Sequence, residues 1–170
     1  MKLLGALFLV LACTMYGFNR GLGLYNRQRA LAGFIEALRF IEAELTGNAR
    51  PLPEIFEELS LEAKPELRPF FGYLSEGMQS LGDESVCGLW GRRIMSDRSL
   101  ALSLVQRQEL CRPGLVLGRY ASHEQATAIE SCITRLEPEL ERATDSARKG
   151  LRLYTGLGIS AGLMLATAVI

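Results

Sequence analysis

Apolar residues dominate both ends of this chain, and between the ends they recur at every third or fourth position. Residues 3–18 (LLGALFLVLACTMYGF) and 153–170 (LYTGLGISAGLMLATAVI) carry no charge. Apart from Lys2, every charged side chain lies between positions 20 and 152. In that interval Leu31, Phe34, Ile35, Leu38, Ile41 and Leu45 form one helical stripe, with Glu36, Glu42 and Glu44 off it. This helix is expected to start near Asn26 and to end by Gly47 and Asn48. Pro51 and Pro53 suit the first turn of a short helix carrying Ile55, Phe56 and Leu59. Pro65 opens another, with Leu67, Phe70, Phe71, Leu74 and Met78 turned inward, and Gly82-Asp83 breaks it. Val86, Leu89, Trp90 and Ile94 mark the next. Positions 100 to 111 make a fifth, with Leu104 and Leu110 inside, before Pro113-Gly114 interrupts and a final turn leads to Gly118. The last helix is capped by Ser122 and carries Ala126, Ile129, Ile133, Leu136 and Leu140. Pro138 is a site for a bend, and the pattern runs without a stop signal into the C-terminal apolar run.

No alternating run long enough for a strand occurs. The expected fold is therefore all-α: a bundle of about six helices flanked by an N-terminal and a C-terminal transmembrane helix. The expected parts are an N-terminal anchor over 1–25, a cytoplasmic helical domain over 26–152 and a C-terminal span over 153–170. A bilayer core takes about 20 apolar residues in a helix, which the second run nearly supplies. The first reaches that length if Arg20 snorkels and the stretch 21–25 lies at the interface. A cleaved signal is the rival reading, in which Val10-Leu11-Ala12-Cys13 is a lipoprotein box and Cys13 carries the lipid. Arg20, Arg27 and Arg29 follow the first run, and Arg148, Lys149 and Arg152 precede the second. The positive-inside rule then places the central domain in the cytoplasm. Gly17 and Gly21, like Gly158 and Gly162, are four apart, a spacing that lets membrane helices approach closely.

Formal net charge is zero, so nucleic-acid binding has no electrostatic support. Locally the balance is uneven. Residues 36–66 hold eight acids and three bases, whereas 92–119 hold six bases and two acids. Such polarity makes candidate docking residues of Arg92, Arg93, Arg98 and Arg107 on one side, and of Glu54, Glu57, Glu58 and Glu62 on the other. Cys13, Cys87, Cys111 and Cys132 form no CxxC pair, and three of them read as small buried hydrophobes. The single histidine, His123, has no neighbouring ligand type, so zinc is not expected. No phosphate loop, nucleophile elbow or HExxH motif occurs. The chain reads as a non-enzyme with no cofactor and no small-molecule substrate.

Several local patterns converge on one family. The opening Met-Lys-Leu-Leu-Gly-Ala, Glu42-Ala43-Glu44-Leu45 followed by Pro51-Leu52, and Leu117-Gly118 with Gln125 seven residues on resemble stage III sporulation protein AB. So does the closing Gly156-Leu157-Gly158 to Ala161-Gly162-Leu163 segment. One departure stands out: Ala121 occupies a position where that family often has Asp, and Ser122 beside it is the alternative cap. The resemblance implies a component of the secretion-like channel between mother cell and forespore. Its helical domain would be similar to the cytoplasmic domain of type II secretion inner-membrane platform proteins. It would lie on the mother-cell side of the membrane and engage a cytoplasmic secretion-type ATPase, stage III sporulation protein AA. A membrane regulator or sensor with a helical interaction domain is the other class that these features fit.

Overall fold

Capping side chains and prolines, more than the apolar stripes, set where the helices stop and start. The computed structural model describes residues 2–80, 85–119 and 121–169. Within 2–20 and 151–169, side chains are described at only a few positions, Met15, Tyr16, Leu153 and Met164 among them. Six α-helices follow in order: α1 (Lys2–Ala43), α2 (Leu52–Glu62), α3 (Arg68–Gln79), α4 (Val86–Ser96), α5 (Leu104–Val116) and α6 (Ser122–Val169). One π-helical turn, Glu44–Asn48, ends α1, and a 3-10 turn, Arg98–Leu100, links α4 to α5. Among the described residues there is no strand, so the expected all-α class holds.

The boundaries differ from expectation in three places. First, α1 does not begin near Asn26 but is unbroken from Lys2. No proline lies between the apolar run and the stripe, the asparagines there stay within the helix, and glycine alone does not stop it. The terminal segments are therefore the ends of α1 and α6, not separate helices flanking a six-helix bundle. Second, the fifth helix starts at Leu104, because Ser103 and Gln106 form a reciprocal capping box. The Ser103 hydroxyl accepts from the Gln106 amide at 3.3 Å, and the Gln106 side-chain oxygen accepts from the Ser103 amide at 3.1 Å. Leu104 therefore falls in the first turn and is 61% exposed, not inside. Third, Pro113 and Gly114 do not interrupt α5. Both are buried within it. A proline denies a donor to the carbonyl four residues back, which here is Glu109. The buried Cys132 thiol on α6 donates to that carbonyl at 3.4 Å in its place.

Among the described residues no helix is long and apolar enough to cross a membrane. The two flanking spans expected from the sequence are thus not supported by the described part of the structure. Most of their side chains lie outside it, as do Gly82 and Asp83.

The chain divides into two units, Arg29–Leu140 and the paired terminal stretches Met1–Gln28 with Glu141–Ile170. In the first unit, Phe34, Phe56, Phe70, Phe71 and Trp90 are buried together. Phe70 meets Trp90 edge-on at 5.0 Å and Phe34 at 5.2 Å, geometries that favour the ring quadrupoles. The indole N–H of Trp90 donates to the Leu110 carbonyl at 2.6 Å. A Cβ at Gly114 would stand 2.6 Å from the indole Cδ1, so only glycine admits the ring there. Met78 and Val86 are half-buried at the edge of this core.

Candidate functional site

Charge in the first unit is sorted onto two helical regions, and the geometry decides which charges are available. In the basic region, Arg92 and Arg98 are exposed. Arg93 is drawn in by Asp97 at 3.1 Å and lies over the Tyr73 ring at 5.4 Å. Arg107 is committed differently. Its guanidinium donates to the carbonyls of Ile94, Asp97 (2.7 Å) and Leu102 (3.3 Å). The Ile94 carbonyl belongs to the last turn of α4, where no backbone donor follows. Arg107 thus caps one helix from another.

The same stretch of sequence, from α4 to the end of α5, also exposes large apolar side chains. Met95 is 50% exposed, Leu104 61%, Val105 60% and Leu115 55%. A surface helix normally turns such residues inward. α5 instead buries Gln106, Leu110, Pro113 and Gly114 while leaving three aliphatic side chains outside. Exposed aliphatic side chains and exposed arginines together have the composition of a protein-binding face. The sequence stripe hides this face, because it places Leu104 in the core and Leu115 in a separate final turn. The Ser103-x-x-Gln106 capping box was the signal that would have corrected the helical register.

The acidic region is organised around one base. Arg50 meets Glu58 at 2.7 Å, Glu44 at 3.2 Å and Glu54 at 3.8 Å. The Glu44 carboxyl is held below its ordinary value, first by the Asn48 amide and then by Arg50. Glu57 and Glu62 are exposed, and Leu61 between them is 69% exposed. A groove of about 410 Å³ lies between α1 and α2, lined by Phe40, Leu59 and Pro65 with Glu36, Glu58 and Glu62 among its polar groups. Lys64 bridges to Glu36 at 2.7 Å there.

Burial pushes the Cys132 thiol up to about 12, with Glu109 adding to the effect. A thiol with so high a value stays protonated at neutral pH and does not attack. Cys132 is therefore expected to resist iodoacetamide at pH 8.5 in the folded chain and to react once the chain is unfolded in urea. Mass mapping of the alkylated peptides checks this; labelling of Cys132 in the folded chain at the unfolded rate contradicts it. Cys111 is also shifted upward, by burial and then by Cys87, and both are half-buried. Among the described residues no group of three His, Cys, Asp or Glu could hold a metal ion, and His123 is exposed at the start of α6.

The Leu-Gly…Gln pattern has a structural meaning. Gly118 turns the chain with φ +76°, and its amide donates to the Gln125 side-chain oxygen at 3.2 Å. Gln125 is buried and so fixes the start of α6 against the end of α5. Gln106 plays the matching part at the other end of α5, donating to Glu139 at 3.0 Å. Of the four glycines expected to pack in the membrane, Gly21 is buried, while the surroundings of Gly17, Gly158 and Gly162 lie outside what is described.

Comparison with known proteins agrees with these patterns. The family model for stage III sporulation protein AB matches residues 2–170. The chain is similar to stage III sporulation protein AB of Bacillus subtilis (strain 168), with 26% identity over 166 residues, covering 97% of this chain and 96% of the relative. No solved structure matches at a significant level.

Proposed function

Because the chain belongs to the stage III sporulation protein AB family, we propose that it is a non-enzymatic, membrane-anchored platform component of a secretion-like sporulation channel. Its helical unit docks a cytoplasmic secretion-type ATPase, stage III sporulation protein AA. The uncharged terminal runs serve as anchors, with Gly17, Gly21, Gly158 and Gly162 as contacts between membrane helices. Their basic flanks put the central domain on the cytoplasmic, mother-cell side.

The observation that carries the docking reading is that Arg92, Met95, Arg98, Leu104 and Val105 are all exposed within one stretch, from α4 through the linking turn to the start of α5. Arginine with exposed aliphatic groups gives both steering and a desolvated centre to an acidic partner surface. Arg93 and Arg107 are engaged within the fold, Arg93 with the Asp97 carboxylate and Arg107 with the Ile94 and Asp97 carbonyls at the end of α4. The acidic set Glu54, Glu57, Glu58 and Glu62 is the second candidate face, with Glu54 and Glu58 partly neutralised by Arg50.

The test is an affinity measurement between the full-length chain in detergent and the purified ATPase. R92E/R98E is expected to weaken binding at least about tenfold, from two reversed charges at a steered interface, while the melting temperature stays within about 2 °C because both side chains are exposed. Binding equal to wild type sinks the basic-face version. Loss on E57K/E62K instead would move the contact to the acidic face.

A further inference from the structure

The terminal unit contains a cavity that nothing in the docking reading uses. This groove of about 1060 Å³ is lined by Tyr25 and Gln28 of α1 and by Thr144, Ala147, Arg148, Lys149 and Leu153 of α6. We propose that it binds the headgroup of an anionic phospholipid. The inference rests on the membrane-anchored reading above.

The lining is graded along α6. Arg148 and Lys149 supply two positive charges, with Gln28 and Thr144 beside them as hydrogen-bonding groups. One turn further lies Leu153, 61% exposed, and from there the sequence is uncharged to position 170. The step from Lys149 to Leu153 is about 6 Å of helix rise, close to the span from a lipid phosphate to its first acyl carbons. Tyr25, 48% exposed, offers a ring with a polar tip, the side chain that prefers a headgroup boundary. Ala147 is 8% exposed, and its small side chain leaves the space open.

Acids near the groove are few. Asp145 approaches Lys149 at 4.0 Å, but the two side chains are 69% and 81% exposed, so solvent screens the pair. Glu141 lies two turns from Arg148 on an exposed face. Basic pockets between helices at a cytoplasmic boundary take anionic headgroups, each cation near the surface contributing to affinity.

The experiment measures binding of fluorescent phosphatidylglycerol to the full-length chain in non-ionic detergent micelles. Phosphatidylcholine is the neutral-lipid arm, and glycerol phosphate is the soluble-anion arm. Wild type is expected to prefer phosphatidylglycerol, and R148Q/K149Q to lose about thirtyfold in affinity. A147F fills the groove without changing charge and is expected to lose binding as well, while R112Q on the first unit keeps it. Equal binding of both lipids, wild-type affinity in R148Q/K149Q, or displacement by glycerol phosphate at equal concentration would overturn the proposal. Alkaline extraction of native membranes separates this from the anchoring reading. Release of the wild-type chain defeats the anchoring, whatever the micelles report.

Discussion

Trp90→Ala is expected to lower stability by about 4 kcal/mol, as do large aromatic truncations in other cores. For a chain of this length that lowers the melting temperature by roughly 10 °C. The side chain is fully buried and lies within 5.0–6.3 Å, ring to ring, of Phe56, Phe70 and Phe71. Truncation leaves a cavity that several rings would have to collapse into at once, and rigid rings do so poorly. It also removes the indole donor from the Leu110 carbonyl. Trp90→Phe keeps most of the ring contacts and loses the donor, so about half the effect is expected. Thermal unfolding followed by circular dichroism reads both, since Trp90 is the chain's single tryptophan and its fluorescence vanishes with it. A melting point for Trp90→Ala within 3 °C of wild type would contradict the packing described.

Arg107→Met is expected to cost about 3 kcal/mol, seen as a lower urea midpoint with an unchanged slope. Methionine retains the apolar stem but leaves the carbonyls of Ile94, Asp97 and Leu102 without their shared donor. A charged donor to a part-buried carbonyl is worth more than a neutral one. Arg107→Lys restores the charge but not the planar fork, and is expected to recover less than half of the loss. This separates Arg107 from its neighbours in the basic stretch. Arg92→Glu is expected to leave the urea midpoint unchanged, because that side chain is exposed. A destabilisation by Arg92→Glu equal to that of Arg107→Met would mean that the whole stretch is structural.

What was legible in the sequence was what depends on local periodicity. The stripe from Leu31 to Leu45, the prolines before Ile55 and the Val86–Ile94 pattern each placed a helix whose inward residues are buried, Val86 at the core edge excepted. The errors cluster at α5, where period and propensity conflict. Its buried face includes Gln106, Pro113 and Gly114, types that a hydrophobic stripe assigns to the outside. Each is explained only by a residue distant in sequence. Gln106 is buried because it bonds Glu139, Pro113 is tolerated because Cys132 serves Glu109, and Gly114 is required by Trp90. The same conflict concealed the candidate site: with the register fixed by the Ser103 box, Leu104, Val105 and Leu115 come to the surface. The charge segregation was visible, but the division between Arg107 as a cap and Arg92 as an exposed cation was not, since both are arginines in one basic run.

The close approach of Trp90 to Gly114 also bears on how this sequence is free to drift. Neither position tolerates change alone: a side chain at 114 collides with the ring, and a smaller residue at 90 leaves a void. The two sites are nonetheless complementary in volume, so a substitution at one becomes acceptable in the presence of the right substitution at the other. Across relatives, positions 90 and 114 are expected to vary as a pair, with bulk on α4 traded against bulk on α5. Gly114→Ala would be tolerated best on a background already altered at position 90, and the order in which the two changes arose would be constrained by that dependence.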